Sequence, residues 1–310
     1  MENTQTFAQL SDPHLSSLDG ASWRDLANKR LLGYLSWRRR RRLEHRSEVL
    51  ESLRRDLLGV RPGHLVITGD LTQISLPDEF HQARAWLDSL GRPDEVTVVP
   101  GNHDAYVHVS WAQGLSRWQP YLESDEPCRD AGATSPETMF PSLRVRGSVA
   151  FIGLSSARPS APLLATGRIG DSQLKRLEMI LDQARSQGLF RVVLLHHPPV
   201  PGEERWRKRL TDAAQLCAVI ARQGAELVLH GHRHRAVQSR IEIPGTHVPV
   251  FGIPSASSVG PGTGRMAQYH LYTVHASKST WELELEVRGY TTEKDRFVTQ
   301  GTRRLEIPRA

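Results

Sequence analysis

Five short polar segments of this chain carry residue types suited to hydrolytic chemistry, and each directly follows an apolar run. Ser11-Asp12-Pro13-His14 follows Phe7–Leu10, and Gly69-Asp70 follows Leu65–Thr68. Pro100-Gly101-Asn102-His103-Asp104 follows Val96–Val99, and His196-His197-Pro198-Pro199 follows Val192–Leu195. His230-Gly231-His232-Arg233-His234 follows Glu226–Leu229. Two aspartates, one asparagine and up to four histidines make a mixed oxygen and nitrogen donor set without thiolate. Such a set suits Mn, Fe or Zn, with Mn the first choice, better than Ca or Mg, which prefer oxygen alone. Asp12-x-His14 and His232-x-His234 each place two side chains on one face of an extended segment. The donors are too many for one ion and about right for two ions that share a carboxylate. A pair of ions roughly 3.5–4 Å apart is a general device for hydrolysing phosphate esters.

The elements that must position these residues read as strands alternating with helices. The apolar runs above, together with Val149–Leu154 and Val248–Ile253, read as strands. Helix-period stretches fall at about 43–58, 78–90, 171–187 and 211–223, with Asp78 and Asp171 as candidate N-caps. Gly91 and Gly188 stand where a helix C-terminal glycine would, and Gly69, Gly101 and Gly231 are expected to turn the backbone just before each ligand. This alternation predicts an α/β layered fold. Ligands bind at the carboxyl edge of α/β sheets, so the five segments can converge there. Tyr269–Val274 and Thr280–Val287 alternate apolar and polar residues and predict an antiparallel hairpin that closes a sheet. The tail from Thr291 onward reads as a surface extension with a short final strand. No linker is evident, so 1–310 reads as one domain, with a basic amphipathic insertion at about 16–58 and the hairpin and tail at about 265–310.

With 310 residues, 38% hydrophobic and 24% charged, the composition is that of an ordinary globular protein. No stretch approaches the roughly 18 apolar residues of a membrane span, and Met1–Gln9 does not read as a signal peptide. Two cysteines, Cys128 and Cys217, exclude a disulfide framework and cysteine-based metal sites, and fit a reducing cytoplasm. The net charge of +6 is local: residues 21–58 hold 11 lysines and arginines against 5 acids, which accounts for all of it.

Asp12-x-His14, Gly69-Asp70, Gly101-Asn102-His103-Asp104, His196-x-Pro198 and Gly231-His232-x-His234 resemble the five signature blocks of the calcineurin-like metallophosphoesterases. The resemblance implies a four-layer αββα sandwich, two sheets face to face with helices outside. It also implies that Asp12, His14 and His234 bind one metal, that Asn102, His196 and His232 bind the other, and that Asp70 bridges them. His196 is preferred to His197 because the family pattern is His-x-Pro; His197 then serves a supporting role.

A hydroxide held between two cations would attack phosphorus in line, with the cations offsetting charge on the phosphoryl oxygens. His103 is placed to protonate the leaving oxygen or stabilise charge developing there. Asp104 would orient that imidazole or buttress the metal loop from behind. For the substrate, the best clue is the basic segment. Trp23, Leu26, Ala27, Leu31, Tyr34 and Leu35 fall near helical spacing, and Leu32 and Trp37 widen the stripe before Arg38 to Arg42. This stripe could pack on the body of the domain with the arginines in solvent. It could instead meet an anionic membrane surface at the inner face. Nucleic acid is disfavoured, because the rest of the chain carries no matching positive excess. The membrane reading is similar to the UDP-2,3-diacylglucosamine pyrophosphatases, and the alternative is a cyclic-nucleotide phosphodiesterase of the class III kind. Arg158 and Arg168 could also reach a phosphate. A distant alternative is a non-catalytic scaffold on the same fold.

Overall fold

Residues Val192 to Leu195 show how the layers arise. Val192 and Leu194 enter one apolar cluster and Val193 and Leu195 another, because successive strand side chains point to opposite faces. Both faces of this strand are therefore buried, and layers must lie on either side. The computed structural model describes residues 4–15, 17–128, 132–260 and 264–309. Its strands are β1 (Thr4–Leu10), β2 (Leu65–Ile67), β3 (Val96–Val98), β4 (Ser142–Arg146), β5 (Val149–Gly153), β6 (Phe190–Leu194), β7 (Leu227–His230), β8 (Val237–Ile243), β9 (Thr246–Gly252), β10 (Gln268–Ala276), β11 (Thr280–Thr291) and β12 (Arg296–Pro308).

They form two mixed sheets of six strands, ordered β12-β11-β10-β1-β2-β3 and β4-β5-β6-β7-β9-β8. Within the first, β1, β2 and β3 run parallel; within the second, β5, β6, β7 and β9 do. The sheets pack face to face. Phe7 of β1 meets Phe151 of β5 edge-on at 5.0 Å, and Phe190 of β6 meets Trp281 of β11 at 5.5 Å. Helices Asp171–Ser186 and Ala213–Gln223 cover the outer face of the second sheet through Leu174, Leu177, Leu181, Leu216 and Ile220. Helices Ser47–Val60 and Pro77–Leu90 contribute Leu53, Leu57, Phe80 and Leu87 to the large core around the first. The expected αββα layering is what the fold has. Among the described residues no helix is long and apolar enough to cross a membrane.

Several local expectations need correction. The tail is not a short strand: β12 pairs along the whole of β11. Strands β4 and β8 were not legible as strands, being edge strands with polar faces. Asp78 does not cap its helix. The N-cap is Leu76, whose backbone N–H donates to Glu79 in the first turn at 2.9 Å, and Glu79 also accepts from the N–H groups of Gln73 and Ile74, which precede the helix, at 2.5 and 3.0 Å. Asp171 is the first helical residue, after Gly170 at the N-cap.

The basic segment is less uniform than its periodicity implies. The α-helix Arg30–Ser36 passes into a π-helical turn, Trp37–Arg41, and then Arg42–Glu44. Trp37 is buried in a small cluster with Leu18, Ile74 and Leu76, with Leu26, Tyr34 and Ala21 packed beside it. Trp23, Leu31, Leu32 and Leu35 remain exposed. The stripe thus divides between a packed face and a solvent face.

Candidate metal centre

The carboxyl ends of both sheets meet in one place. From the first sheet, the segment after β1 brings Asp12 and His14, that after β2 brings Asp70, and that after β3 brings Asn102. From the second, the segments after β6 and β7 bring His196, His232 and His234. Backbone bonds tie these segments together: Asp12 N to Gly69 O (2.9 Å), His14 N to Asp70 O (3.1 Å) and Gly231 N to His196 O (3.1 Å). Across the sheets, His232 N donates to Asp12 Oδ2 at 3.1 Å.

Side-chain donor atoms of all seven predicted ligands gather in two sets. In one, His14 Nε2 lies 3.4 Å from His234 Nε2 and 4.0 Å from Asp70 Oδ2, and His234 Nε2 lies 3.1 Å from Asp12 Oδ1. In the other, His196 Nε2 lies 3.2 Å from Asn102 Oδ1 and 3.3 Å from His232 Nδ1, and Asn102 Oδ1 is 2.8 Å from that Nδ1. Asp70 Oδ2 is also 3.2 Å from His196 Nε2, so this carboxylate touches both sets.

The residues fit divalent cations for reasons internal to the chain. Nitrogens face nitrogens at contact distance, and among the described residues Asp12 Oδ1 and His232 Nε2 are buried with no hydrogen-bond partner. The rings of His14 and His196 face the backbone carbonyls of Thr72 (3.1 Å) and Thr68 (2.7 Å) through Nδ1. A carbonyl only accepts, so each Nδ1 carries the proton and each Nε2 presents a lone pair. Without cations, charge is balanced by protons. Burial alone pulls His196 down, but Asp70 beside it raises it to about 9. Burial pushes Asp70 up, and His196 and His103 overcome this and hold it well below the usual carboxylate range. Burial, followed by neighbouring histidines, depresses His14 and His232 well below the ordinary imidazole value.

Backbone strain is concentrated here. Asp12, His14, Asp70, His232 and His234 all have positive φ, between 46° and 70°, a region that L-residues avoid and that is tolerated where surrounding structure over-determines it. Gly69 makes the expected turn, with φ +96°. Gly101 and Gly231 act differently: they make room. A Cβ on Gly101 would lie 2.2 Å from Asp70 Oδ1, and one on Gly231 would lie 1.9 Å from Ser11 Oγ and 2.5 Å from Asp12 Oδ2.

Asp104 does not orient the His103 ring. Its carboxylate accepts from the backbone N–H groups of Asp70, Gly101 and Thr72, each at 2.9 Å, and so buttresses the two ligand loops. Burial, then the charge of Asp70, raises it to about 7. The ring of His103 is oriented by the Gln73 carbonyl at Nδ1, while its backbone N–H donates to Asp70 Oδ1 at 2.7 Å. Burial, then the nearby Arg41, lowers His103 to about 3. His197 stands behind His232, ring centroids 4.5 Å apart, with Nδ1 2.7 Å from Ser156 Oγ.

Above the donor atoms lies an open cleft of about 890 Å³. Its walls hold Lys29, Arg41, Arg205, Lys208, Arg235 and Arg265, among others, against Glu44, Asp70, Glu203 and Glu204. Sequence reasoning did not place three of its residues here, Arg41 being assigned with the rest of Arg38 to Arg42 to solvent or a membrane surface. His45 lies with His14 and His234 within ligand distance of one another, its ring 4.6 Å from that of His14 and its Nδ1 2.8 Å from Ser257 Oγ. Arg41 reaches His103, and Tyr106 stacks on the His103 ring at 5.5 Å. The only sequence signal for the first two was the i, i+4 spacing of Arg41 and His45 inside the arginine-rich run. Arg158 and Arg168 are not among the residues that line the cleft.

The family profile described as calcineurin-like phosphoesterase matches residues 5–236. A probable cyclic nucleotide phosphodiesterase of a Synechococcus species is 31% identical over 183 residues, 58% of this chain; the match spans only 61% of that relative's length. A 3',5'-cyclic-nucleotide phosphodiesterase of a Nostoc species is 25% identical over 243 residues, 76% of this chain and 80% of the relative. A dimetal phosphatase from Danio rerio superposes with a TM-score of 0.65 over 99% of both chains at 14% identity, a likeness of fold.

Proposed function

Because the chain belongs to the calcineurin-like phosphoesterase family, we propose that it is a dinuclear-metal hydrolase of phosphodiester bonds, with 3',5'-cyclic nucleotides as its first candidate substrates. The observation that carries the reading is the pair of donor sets sharing Asp70 Oδ2 beneath an open cleft. Asp12, His14 and His234 would hold one ion, Asn102, His196 and His232 the other, and Asp70 both. Two bound divalent ions supply activation of water and neutralisation of charge on the phosphoryl oxygens.

The chain's own groups do the rest. Thr72 O and Thr68 O fix the tautomers of His14 and His196, so that unprotonated Nε2 atoms are ready for metal. Asp104 holds the loops of Asp70 and Asn102 in register through three backbone N–H groups. Gln73 O fixes one proton of His103 on Nδ1, so Nε2 is the edge that faces the departing oxygen and would have to take a second proton, which a bound anionic phosphate favours, before it could protonate that oxygen or stabilise charge on it. The relatives named as cyclic nucleotide phosphodiesterases support the substrate class.

A second reading takes a lipid-linked pyrophosphate such as UDP-2,3-diacylglucosamine. It is favoured by Leu32 and Leu163 at the cleft, 42% and 74% exposed. Arg38, Arg39 and Arg42, exposed beside Leu31, Leu35 and Leu43, would then meet an anionic membrane surface. Mn-loaded protein offered 3',5'-cyclic AMP and UDP-2,3-diacylglucosamine at equal low concentration tests both. Preference for the cyclic nucleotide is expected. UMP release from the lipid, lost when Arg38, Arg39 and Arg42 are neutralised, would replace the first reading with the second. Turnover of both that survives Asp70→Asn would overturn the dinuclear site itself.

A further inference from the structure

Arg38 to Arg42 look equivalent in the sequence, and the fold separates them. Arg38, Arg39, Arg40 and Arg42 are exposed; Arg40 and Arg41 both line the cleft, but Arg40 pairs with Glu44, whereas Arg41 is drawn inward to His103, beside Asp70 and Asn102. A change of helical winding produces this. The N–H of Arg42 reaches back five residues to Trp37 O, the mark of a π turn, and such turns recur at functional sites. Both ends of the segment are pinned. Trp37 is buried against Leu18, Ile74 and Leu76. Gly33 presses so closely on the body that a Cβ there would lie 2.5 Å from Ile74 Cγ2 and 2.9 Å from Tyr106 Oη. Beyond the turn, His45 N donates to Arg41 O at 2.8 Å. The inward direction of Arg41 is therefore set by packing.

Among the described residues the guanidinium forms no ion pair, and Asp70, Glu44 and Asp12 attract it only at longer range. Its Nη1 is 3.1 Å from His103 Nδ1. That nitrogen also faces Gln73 O, so it carries a proton, and two donors meet without a hydrogen bond between them. Glu44, the nearest acid in sequence, pairs with Arg40 at 3.5 Å instead. Among the described residues no carboxylate stands within ion-pair distance of Arg41. A cation held beside a site suited to further cations is costly unless an anion comes between them.

We propose that Arg41 is a substrate-binding residue whose guanidinium donates two N–H groups to the non-bridging oxygens of the phosphoryl group at the metal centre. The proposal rests on the phosphodiester reading above. The planar fork of Arg matches two phosphoryl oxygens, which a lysine ammonium cannot do. Negative charge on those oxygens is offset by the same cation throughout the reaction, so the interaction acts on kcat/KM and on binding of a phosphate product alike.

The experiment uses the Mn-loaded full chain with bis(p-nitrophenyl) phosphate as substrate and inorganic phosphate as a calorimetric ligand. Arg41→Ala is expected to lose about 100-fold in kcat/KM and to bind phosphate about 10-fold more weakly, with metal content unchanged. Arg41→Lys is expected to fall between the two, and added guanidinium ion to restore activity to Arg41→Ala only. Arg185→Gln, exposed on the helix Asp171–Ser186 and outside the cleft, is the unchanged control. If Arg41→Ala does not fold, Arg41→Gln and Arg41→Lys carry the comparison. Wild-type kinetics and phosphate affinity in these variants, or loss of metal in them, would overturn the role. A wild-type chain that does not cleave the diester sinks the parent reading alone, because phosphate affinity still judges Arg41.

Discussion

At the scale of single residues, the division of labour between His103 and Asp104 is the main finding. The two are adjacent in sequence, which makes Asp104 the obvious partner for the imidazole, yet its oxygens are spent on three backbone N–H groups. A one-residue step turns the two side chains apart, and Gln73 O takes the ring instead. The two residues should therefore fail differently. Asp104→Ala removes the brace on the loops of Asp70 and Asn102 and is expected to weaken metal affinity about 10–100-fold, with turnover largely recovered at saturating Mn. His103→Gln is expected to keep its metal content and to lose about 100-fold or more in kcat at any metal concentration. Metal titration followed by elemental analysis and kinetics separates them; the same response from both variants would refute the division. The positive φ of five predicted ligands belongs to this scale too. The residue types were readable in the sequence, but the strained backbone that aims them is imposed by the loops bonded on either side.

At the scale of elements, the strands that carry ligands were legible because they are buried on both faces and read as continuous apolar runs. Strand β8 escaped notice because an edge strand with one solvated face needs no such run, and β4 because its buried positions include Ser142 and Arg144 in place of apolar residues. The length of β12 escaped because its Gln300 to Arg304 stretch is polar and exposed. Strand β10 contributes a pH dependence remote from the metal centre. His270, buried in β10 with Nδ1 3.1 Å from Tyr272 Oη, is lowered to about 3 by burial and then by Arg303. An unfolded chain takes a proton on this ring near pH 6.5, while the folded one does not until about 3. Its stabilising contribution is thus complete above 6.5 and is lost as the pH falls from there toward 3. His270→Asn is expected to flatten the acid side of the stability profile by up to about 1.4 kcal/mol per pH unit. Denaturant melts between pH 7 and 4 check this; an unaltered slope would show that the ring titrates normally.

At the scale of the whole molecule, the candidate centre is a seam between two sheets. Asp12, His14, Asp70 and Asn102 come from one sheet and His196, His232 and His234 from the other, so bound cations would cross-link the layers and relieve the crowding of Asp12, Asp70 and Asp104. Removing metal with a chelator is expected to lower the melting temperature by roughly 5–10 °C, the effect of a ligand present at about 1,000 times its dissociation constant. Scanning calorimetry with and without Mn measures it, and equal melting temperatures would mean that no cation binds the folded chain. What the sequence by itself determined is the set of donor residues, their place after successive buried strands, and hence the layered α/β fold. Those features are local: the chemistry of metal ligation restricts residue types, and short continuous apolar runs restrict the backbone to strands buried on both faces. Which arginine of an unbroken run turns inward, which carbonyl holds His103, where His45 comes to rest and which glycines yield room to a carboxylate were decided only by tertiary structure. Each depends on contacts between segments tens to hundreds of residues apart, and nothing in the spacing of neighbours encodes the distance between such segments.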